Sequence, residues 1–231
     1  MPRPMFHDLD PALVHDTPPL DRLAELRPAA DPVIVDGGAN KGRTTARFLE
    51  LFPRARVAAF EPLPELARKL EKRYLGDARV VVQACALGPQ AATAELTVLS
   101  RRTLSSMLPP TGIHEKYADQ DIRQTARVTV PVVRLDAALP QGADIIKLDL
   151  QGYELAALQG AVGILPRAAL ILAETAFYPL YDGQPLFPEL REFLAAHGFA
   201  FEGLYDPFSD AKGRLASGDA LFTANAPGPG R

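Results

Sequence analysis

Val33-Ile34-Val35-Asp36-Gly37-Gly38-Ala39-Asn40-Lys41-Gly42 passes from a continuous apolar run into a turn of small and polar residues. A short apolar run cut off by turn residues suits a strand buried on both faces, as in a parallel sheet. Gly37, Gly38 and Gly42 let the backbone curl at positive φ without a steric penalty, and Asn40 is among the few other residues that tolerate that region. The turn is not a dinucleotide fingerprint, because Ala39 stands where the second glycine of G-x-G-x-x-G belongs. Nor is it a P-loop, because Arg43 follows Gly42 where that motif needs lysine. What remains is D-x-G-x-x-x-G with Asp36 closing the strand. That pattern favours a ligand with a cationic or amine group beside the turn over a pyrophosphate. A glycine-rich connector with no ligand is the alternative.

Outward from this stretch, helical and strand patterns alternate. Residues 44–52 read as a helix, 56–60 as a strand, 64–75 as a helix with Leu66, Leu70, Tyr74 and Leu75 on one face, and 80–84 as a strand. Strands at 95–99 and 127–133 flank a polar stretch, 100–126. A strand at 143–150 leads into a helix at 154–159 whose Leu155, Leu158 and Val162 share a face. A strand at 169–173, a helix at 188–197 closed by Gly198, and strands at 199–204 and 220–224 complete the pattern. A helical patch at 20–26 precedes it. Such alternation predicts an α/β fold with a doubly wound, mostly parallel sheet, and the last two strands suggest an antiparallel pair at one edge. Residues 33–224 are expected to form one domain with a polar insertion at 100–126. Residues 1–32 are expected to pack on it, and 225–231 to be a disordered tail.

Composition narrows the function. The 231 residues carry a formal net charge of −3, which gives no bulk attraction to nucleic acid or an anionic membrane. A single cysteine, Cys85, excludes an internal disulfide and any multi-cysteine zinc site. Apolar runs fall short of the roughly 20 residues of a membrane helix, and the amino terminus lacks the apolar core of a secretory signal. A cytoplasmic location is the expectation. With no tryptophan, aromatic surfaces are limited to Phe and Tyr.

In an open α/β sheet ligands bind beyond the carboxyl ends of the strands. Five strands end in distinctive residues: Asp36 to Gly42, Glu61-Pro62, Cys85 to Gly88, Asp149 to Gly152, and Glu174-Thr175. All five open on one edge of the sheet. Glu61 is placed to accept both hydroxyls of a ribose, or is an acid at a helix start, where the dipole favours it. Cys85 reads as a packing residue rather than a nucleophile. Lys147 reads as structural, pairing with a neighbouring acid. His7, His15 and His197 show no metal-ligand spacing. Arg68, Lys69 and Arg73, with Glu71 among them, read as a solvated helix face.

VDGGANKG (35–42), FEPLP (60–64), CALG (85–88) and DIIKLDLQGYELAALQGA (144–161) together resemble the FkbM-type family of S-adenosylmethionine-dependent methyltransferases. The resemblance runs from about Val33 to Gly163, with weaker support to Thr223. Its most specific part is Lys147 to Gly160, with the E-x-x-x-L-x-G pattern of Glu154, Leu158 and Gly160. It implies the class I methyltransferase (Rossmann-like) fold, a seven-stranded sheet with an antiparallel last strand, and S-adenosyl-L-methionine as cofactor. Asp36, Gly37, Gly38, Ala39, Asn40 and Gly42 match the motif that holds the amino-acid part of that cofactor. Glu61 matches the ribose-binding acid, with Pro62 beside it. Cys85 and Ala86 fall where the adenine edge is met, Ser105 at a small polar position, and Asp149 near the reactive methyl. Gln151 departs from the glutamate that many relatives carry, which leaves one charge fewer; no metal is expected.

The implied activity is O-methylation of a hydroxyl on a sugar, glycan or secondary metabolite, which calls for a general base. Asp149 is the first candidate, and it suits equally a cap-like role at the turn before the helix. Glu174 is the second. His114, in the insertion, is a candidate base on a lid or a solvated loop residue. The insertion's Arg101, Arg102, Lys116, Arg123 and Arg127 outnumber its Glu115, Asp119 and Asp121, which suits an anionic acceptor or a solvated face. Tyr117, Tyr153, Phe177, Tyr178 and Tyr181 are the aromatic surfaces on the site side. Two alternatives stand beside this reading. One is methylation of nucleic acid, disfavoured because Asp149-Leu150-Gln151-Gly152 replaces the Asn/Asp-Pro-Pro-aromatic turn of base-amine methylating enzymes. The other is a non-catalytic cofactor-binding or scaffold protein. The expected partner is a small-molecule or glycan acceptor, with neither nucleic acid nor membrane.

Overall fold

The computed structural model describes residues 9–26, 28–117 and 120–225. His7, Asp119 and residues 226–231 of the expected tail lie outside them. In chain order the elements are β1 (Val14–His15), α1 (Pro19–Leu26), β2 (Val33–Gly37), α2 (Arg43–Leu51), β3 (Arg56–Phe60), α3 (Pro64–Arg73), β4 (Val80–Gln83), β5 (Ala86–Leu87), β6 (Ala92–Leu99), α4 (Ile113–Lys116), β7 (Gln124–Val133), α5 (Leu135–Ala138), β8 (Ile145–Leu148), α6 (Glu154–Gln159), β9 (Leu170–Ala176), α7 (Phe187–Ala196), β10 (Phe199–Ser209) and β11 (Leu215–Ala224).

The main sheet has the order β1-β10-β11-β9-β8-β2-β3-β4. Seven of its strands are those the fold requires, and the two-residue β1, paired in parallel with β10, adds an eighth. In this sheet, among the described residues, only β11 runs antiparallel to its neighbours, pairing with both β9 and β10. The antiparallel strand is therefore the last in sequence, as expected, but it lies inside the sheet instead of at its rim. The strands at Ala92–Leu99 and Gln124–Val133 do not join this sheet: with Ala86–Leu87 they form a separate three-stranded one.

Alternation along each strand divides the core into two layers. Ile34, Val57, Ile145 and Leu172 face Leu23 of α1 and Phe48 of α2. Val35, Ala58, Ile146 and Ile171 face Leu158 of α6 and Leu190 and Leu194 of α7. Continuous apolar runs such as VIV are what a sheet covered on both faces demands. Two expected helix faces need correction. Leu75 is 87% exposed, because α3 ends at Arg73. Val162 is exposed as well; α6 ends at Gln159 and buries Glu154, Ala157 and Leu158. Strand order moves one way from β2 through β3 to β4 and the other way through β8 and β9. A crevice opens at that reversal, where ligands of this architecture bind.

Candidate functional site

A cavity of about 320 Å³ lies beyond the carboxyl ends of β2, β3 and β8, within the size range of small-molecule sites. Its walls include Gly38, Ala39 and Asn40 after β2, Glu61 and Pro62 after β3, Cys85 and Ala86, Ser105 of the insertion, and Asp149 and Gln151 after β8. Every one of these but Ser105 belongs to a strand end that the sequence places at the binding edge; Ser105 was expected only from the family resemblance, and Gln151 was not singled out as a cofactor contact. The turn is tied to β3 by two amides, those of Gly38 and Ala39, which both donate to Phe60 O at 3.0 Å. Gly38 sits at φ +74, and a Cβ there would lie 2.0 Å from the Asp149 carbonyl oxygen. Glycine is what lets the turn press against the end of β8.

Glu61 is 4% exposed. Its Oε2 accepts from the Asn40 amide and its Oε1 from the Leu63 amide, both at 2.8 Å. Burial raises its carboxyl above the usual range, and these two bonds work against that rise. A carboxylate has about four lone-pair sites, so two acceptor positions remain for a diol. Cys85 is buried in the wall, and burial pushes its thiol up to about 11. Ser105 Oγ accepts from the Leu99 amide at 3.2 Å.

Asp36, Gly37 and Gly42 do not line the cavity. The Asp36 carboxylate is fully buried, accepting from Thr45 Oγ1 at 2.6 Å and facing Lys147 Nζ at 3.4 Å. The cation that the turn's acid attracts is thus the chain's own Lys147. That lysine also donates to Gly37 O at 3.2 Å and lies 3.9 Å from Asp149 Oδ2. Burial opposes its charge, and Asp36 followed by Asp149 outweighs burial and raises its pKa. Asp36 serves the site from behind, by fixing the lysine and the start of α2.

Beside the cavity is a group of acids. Gln151 Nε2 donates to Asp149 Oδ1 and to Glu174 Oε2, and Tyr181 Oη donates to Gln151 Oε1 at 2.8 Å. Glu174 does not line the cavity. Its Oε1 meets Lys116 Nζ at 3.4 Å, and burial, then the charge of Asp149, drives its carboxyl well above the usual range. Asp219 on β11 stands in register with Glu174; burial and then Asp149 push its carboxyl up to about 7. Glu154 is buried too, accepting from the Leu150 amide at 2.6 Å, and burial pushes it up to about 7. Among the described residues no group of three or more His, Cys, Asp or Glu side chains is arranged to hold a metal ion.

His114 is not at the site. It is exposed on α4, whose single turn directs Ile113 and Lys116 inward and His114 and Glu115 outward. Lys116, counted in sequence only as one charge of the insertion, is the α4 residue that reaches an acid of the group. The insertion's other cations are engaged: Arg101 with Gln120, Arg102 with Glu65, Arg123 with Asp121 and Arg127 with Glu95. Of the five aromatic residues, Phe177 and Tyr181 are buried, which leaves Tyr117, Tyr153 and Tyr178 partly exposed. No helix among the described residues is long and apolar enough to cross a membrane.

Residues 36–201 match the family described as the methyltransferase FkbM domain. Methyltransferase sdnD of Sordaria araneosa is 31% identical over 157 residues, a match covering 57% of this chain and 61% of that protein. The 2-O-methyltransferase NoeI of Sinorhizobium fredii is 26% identical over 174 residues, covering 71% of each chain. The crystal structure of methyltransferase FkbM from Methylobacillus flagellatus superposes with a TM-score of 0.55 at 18% identity, covering 84% of this chain and 44% of that one. The chain thus spans less than two thirds of the first of these relatives and under half of this solved structure.

Proposed function

This chain belongs to the FkbM methyltransferase family, and from that premise we propose that it uses S-adenosyl-L-methionine to methylate a hydroxyl of a sugar, glycan or secondary metabolite. The observation that carries the proposal is one cavity with two acids of different standing. Glu61 is buried and fixed by two backbone amides, while Asp149, its side chain 42% exposed, lies across the same cavity.

The residues fit the cofactor chemically. Glu61 offers two acceptor positions to a ribose diol. The wall formed by Ala86, Leu87, Leu96 and Met107 is apolar enough for a nucleobase face. The turn from Gly38 to Asn40 brings its backbone to the cavity without a bulky side chain in the way. When bound, the cofactor supplies an electrophilic methyl group on a cationic sulfur. Asp149 stands at the end of β8, where its carboxylate can attract that cation or accept the proton of an acceptor hydroxyl. Holding donor and acceptor in line supplies much of the rate by itself, since well-oriented reactants can gain about 7–11 kcal/mol. The relative named as a 2-O-methyltransferase supports a hydroxyl acceptor, and a cytoplasmic location goes with the same reading.

Calorimetric titration with S-adenosylhomocysteine tests the cofactor, and tritiated-methyl transfer into a fractionated cell extract tests the acceptor. The expected result is binding, with label in a small-molecule or glycan fraction. No binding by the folded protein sinks the enzymatic reading, and label confined to RNA or DNA sinks the acceptor class.

A further inference from the structure

Gln151 occupies a position that its backbone alone would not choose. Its φ is +54, in the left-handed region disfavoured for any residue with a side chain. Two bonds from other elements hold it there. Ser106 Oγ donates to its carbonyl at 2.7 Å, from the insertion, and Tyr181 Oη reaches its Oε1 at 2.8 Å, from the segment after β9. So fixed, its amide nitrogen meets Asp149 Oδ1 at 2.6 Å and also Glu174 Oε2. The reverse orientation of the amide would set its oxygen against two carboxylate oxygens, so the contacts themselves select the orientation. Asp149 Oδ2 remains outside this clamp, 3.9 Å from Lys147 Nζ.

We propose that Gln151 is a positioning residue of the transfer reaction, its amide holding one oxygen of Asp149 and one of Glu174 so that Asp149 presents its other oxygen at the cavity. This rests on the methyl-transfer reading above. The clamp solves a definite problem. Asp149 and Glu174 repel each other when both are ionised, and Glu154 and Asp219 add to that field at Glu174. The compensating cations approach from outside the pair, Lys116 from α4 and Lys147 from β8. Among the described residues, only Gln151 places donors between the two carboxylates. A donor shared by two carboxylates favours their charged forms, and it does so without adding a charge of its own. A glutamate in its place would add a third negative charge and remove both donors.

The test is a carbon-13 NMR titration of the Asp and Glu carboxyl carbons, assigned with Asp149→Asn and Glu174→Gln. Wild type is compared with Gln151→Leu and Gln151→Glu. Loss of the donor is expected to raise the apparent midpoint read at Glu174 by about one pH unit in Gln151→Leu, and the added charge to raise it further in Gln151→Glu. The acid limb of the pH–rate profile for tritiated-methyl transfer should move by the same amount in Gln151→Glu. Unchanged midpoints in the folded variants overturn the proposal. If neither variant folds, Tyr181→Phe loosens the same amide while keeping the ring; a raised midpoint there supports the clamp and an unmoved one overturns it. Wild-type binding of S-adenosylhomocysteine is measured alongside. Its absence overturns the methyl-transfer reading, whereas unmoved midpoints beside tight binding overturn the role of Gln151 alone.

Discussion

Replacing Gly38 by alanine tests the close approach on which the cavity depends, and Gly76 provides the control. Both glycines have positive φ, +74 and +87, but an added Cβ at Gly76 meets nothing within 4 Å, whereas at Gly38 it would lie 2.0 Å from Asp149 O. Gly76→Ala therefore carries the conformational penalty alone, about 1–2 kcal/mol, partly offset by the reduced entropy of the unfolded chain. A net loss of about 1 kcal/mol follows from those two terms. Gly38→Ala adds a clash with a backbone carbonyl 2.0 Å away, which must retreat well over an ångström to reach the 3.4 Å of ordinary contact, and such overpacking costs about 1–3 kcal/mol more. The two variants should then differ by about 2 kcal/mol, which at a typical urea slope of about 2 kcal/mol/M separates their midpoints by about 1 M. Urea unfolding followed by far-ultraviolet circular dichroism reads this directly, and suits a chain without tryptophan. The displaced carbonyl belongs to Asp149, so Gly38→Ala should also weaken S-adenosylhomocysteine binding while Gly76→Ala leaves it intact. Midpoints of the two variants agreeing within about 0.3 M would show that the turn does not press on the end of β8 and refute the reasoning.

Three further expectations follow from the same side chains. Glu61→Gln puts an amide group against one of the two backbone N–H donors from Asn40 and Leu63. It should weaken S-adenosylhomocysteine binding by about tenfold to a hundredfold by calorimetry, each tenfold being about 1.4 kcal/mol. Glu154, raised from 4.5 to about 7, binds its proton more readily folded than unfolded. Its contribution is therefore full below pH 4.5 and is lost as pH rises through 7. Glu154→Gln should flatten the fall in urea midpoint across that window and be the more stable protein at its upper end. Cys85, buried and pushed up to about 11, should react slowly with N-ethylmaleimide in the native protein near neutral pH and rapidly in urea; fast native labelling would contradict its burial in the wall.

The parts of the fold legible in sequence are those whose signal is local. VIV, RVAAF and ALILA read as strands because a doubly covered sheet leaves no polar position inside them, Arg56 standing at the exposed start of its strand, and Gly198 marks the end of α7 through its own backbone. The second sheet was not legible. Its third strand is the two residues Ala86–Leu87, too short to show any period. At the site, the turn after β2 and Glu61 could be read because each closes a strand. Lys116 and Asp219 could not. α4 is a single turn, so no helical period distinguishes Lys116 from His114, and the partner of Lys116 lies on β9. Asp219 meets the acids only through the pairing of β11 with β9. The place of Asp36 behind the cavity was not legible for a related reason: its counter-charge, Lys147, comes from a strand more than a hundred residues further along.

The place of β11 has a consequence for how the chain is made. Synthesis delivers β2, β3, β4, β8 and β9 in an order that lets each parallel strand join a growing sheet. β10 then emerges with no neighbour to bind in that sheet except the short β1. Until Leu215–Ala224 follows, β9 and β10 present two facing rows of unpaired amides and carbonyls. Ribosomes add about 5–20 residues per second, so the exposed interval is brief. The final strand closes a seam in the middle of the sheet and brings Asp219 to the acid group in the same event. A chain stopped before Leu215 would keep most of the cavity wall and expose two unpaired strand edges, each a template for pairing with another chain.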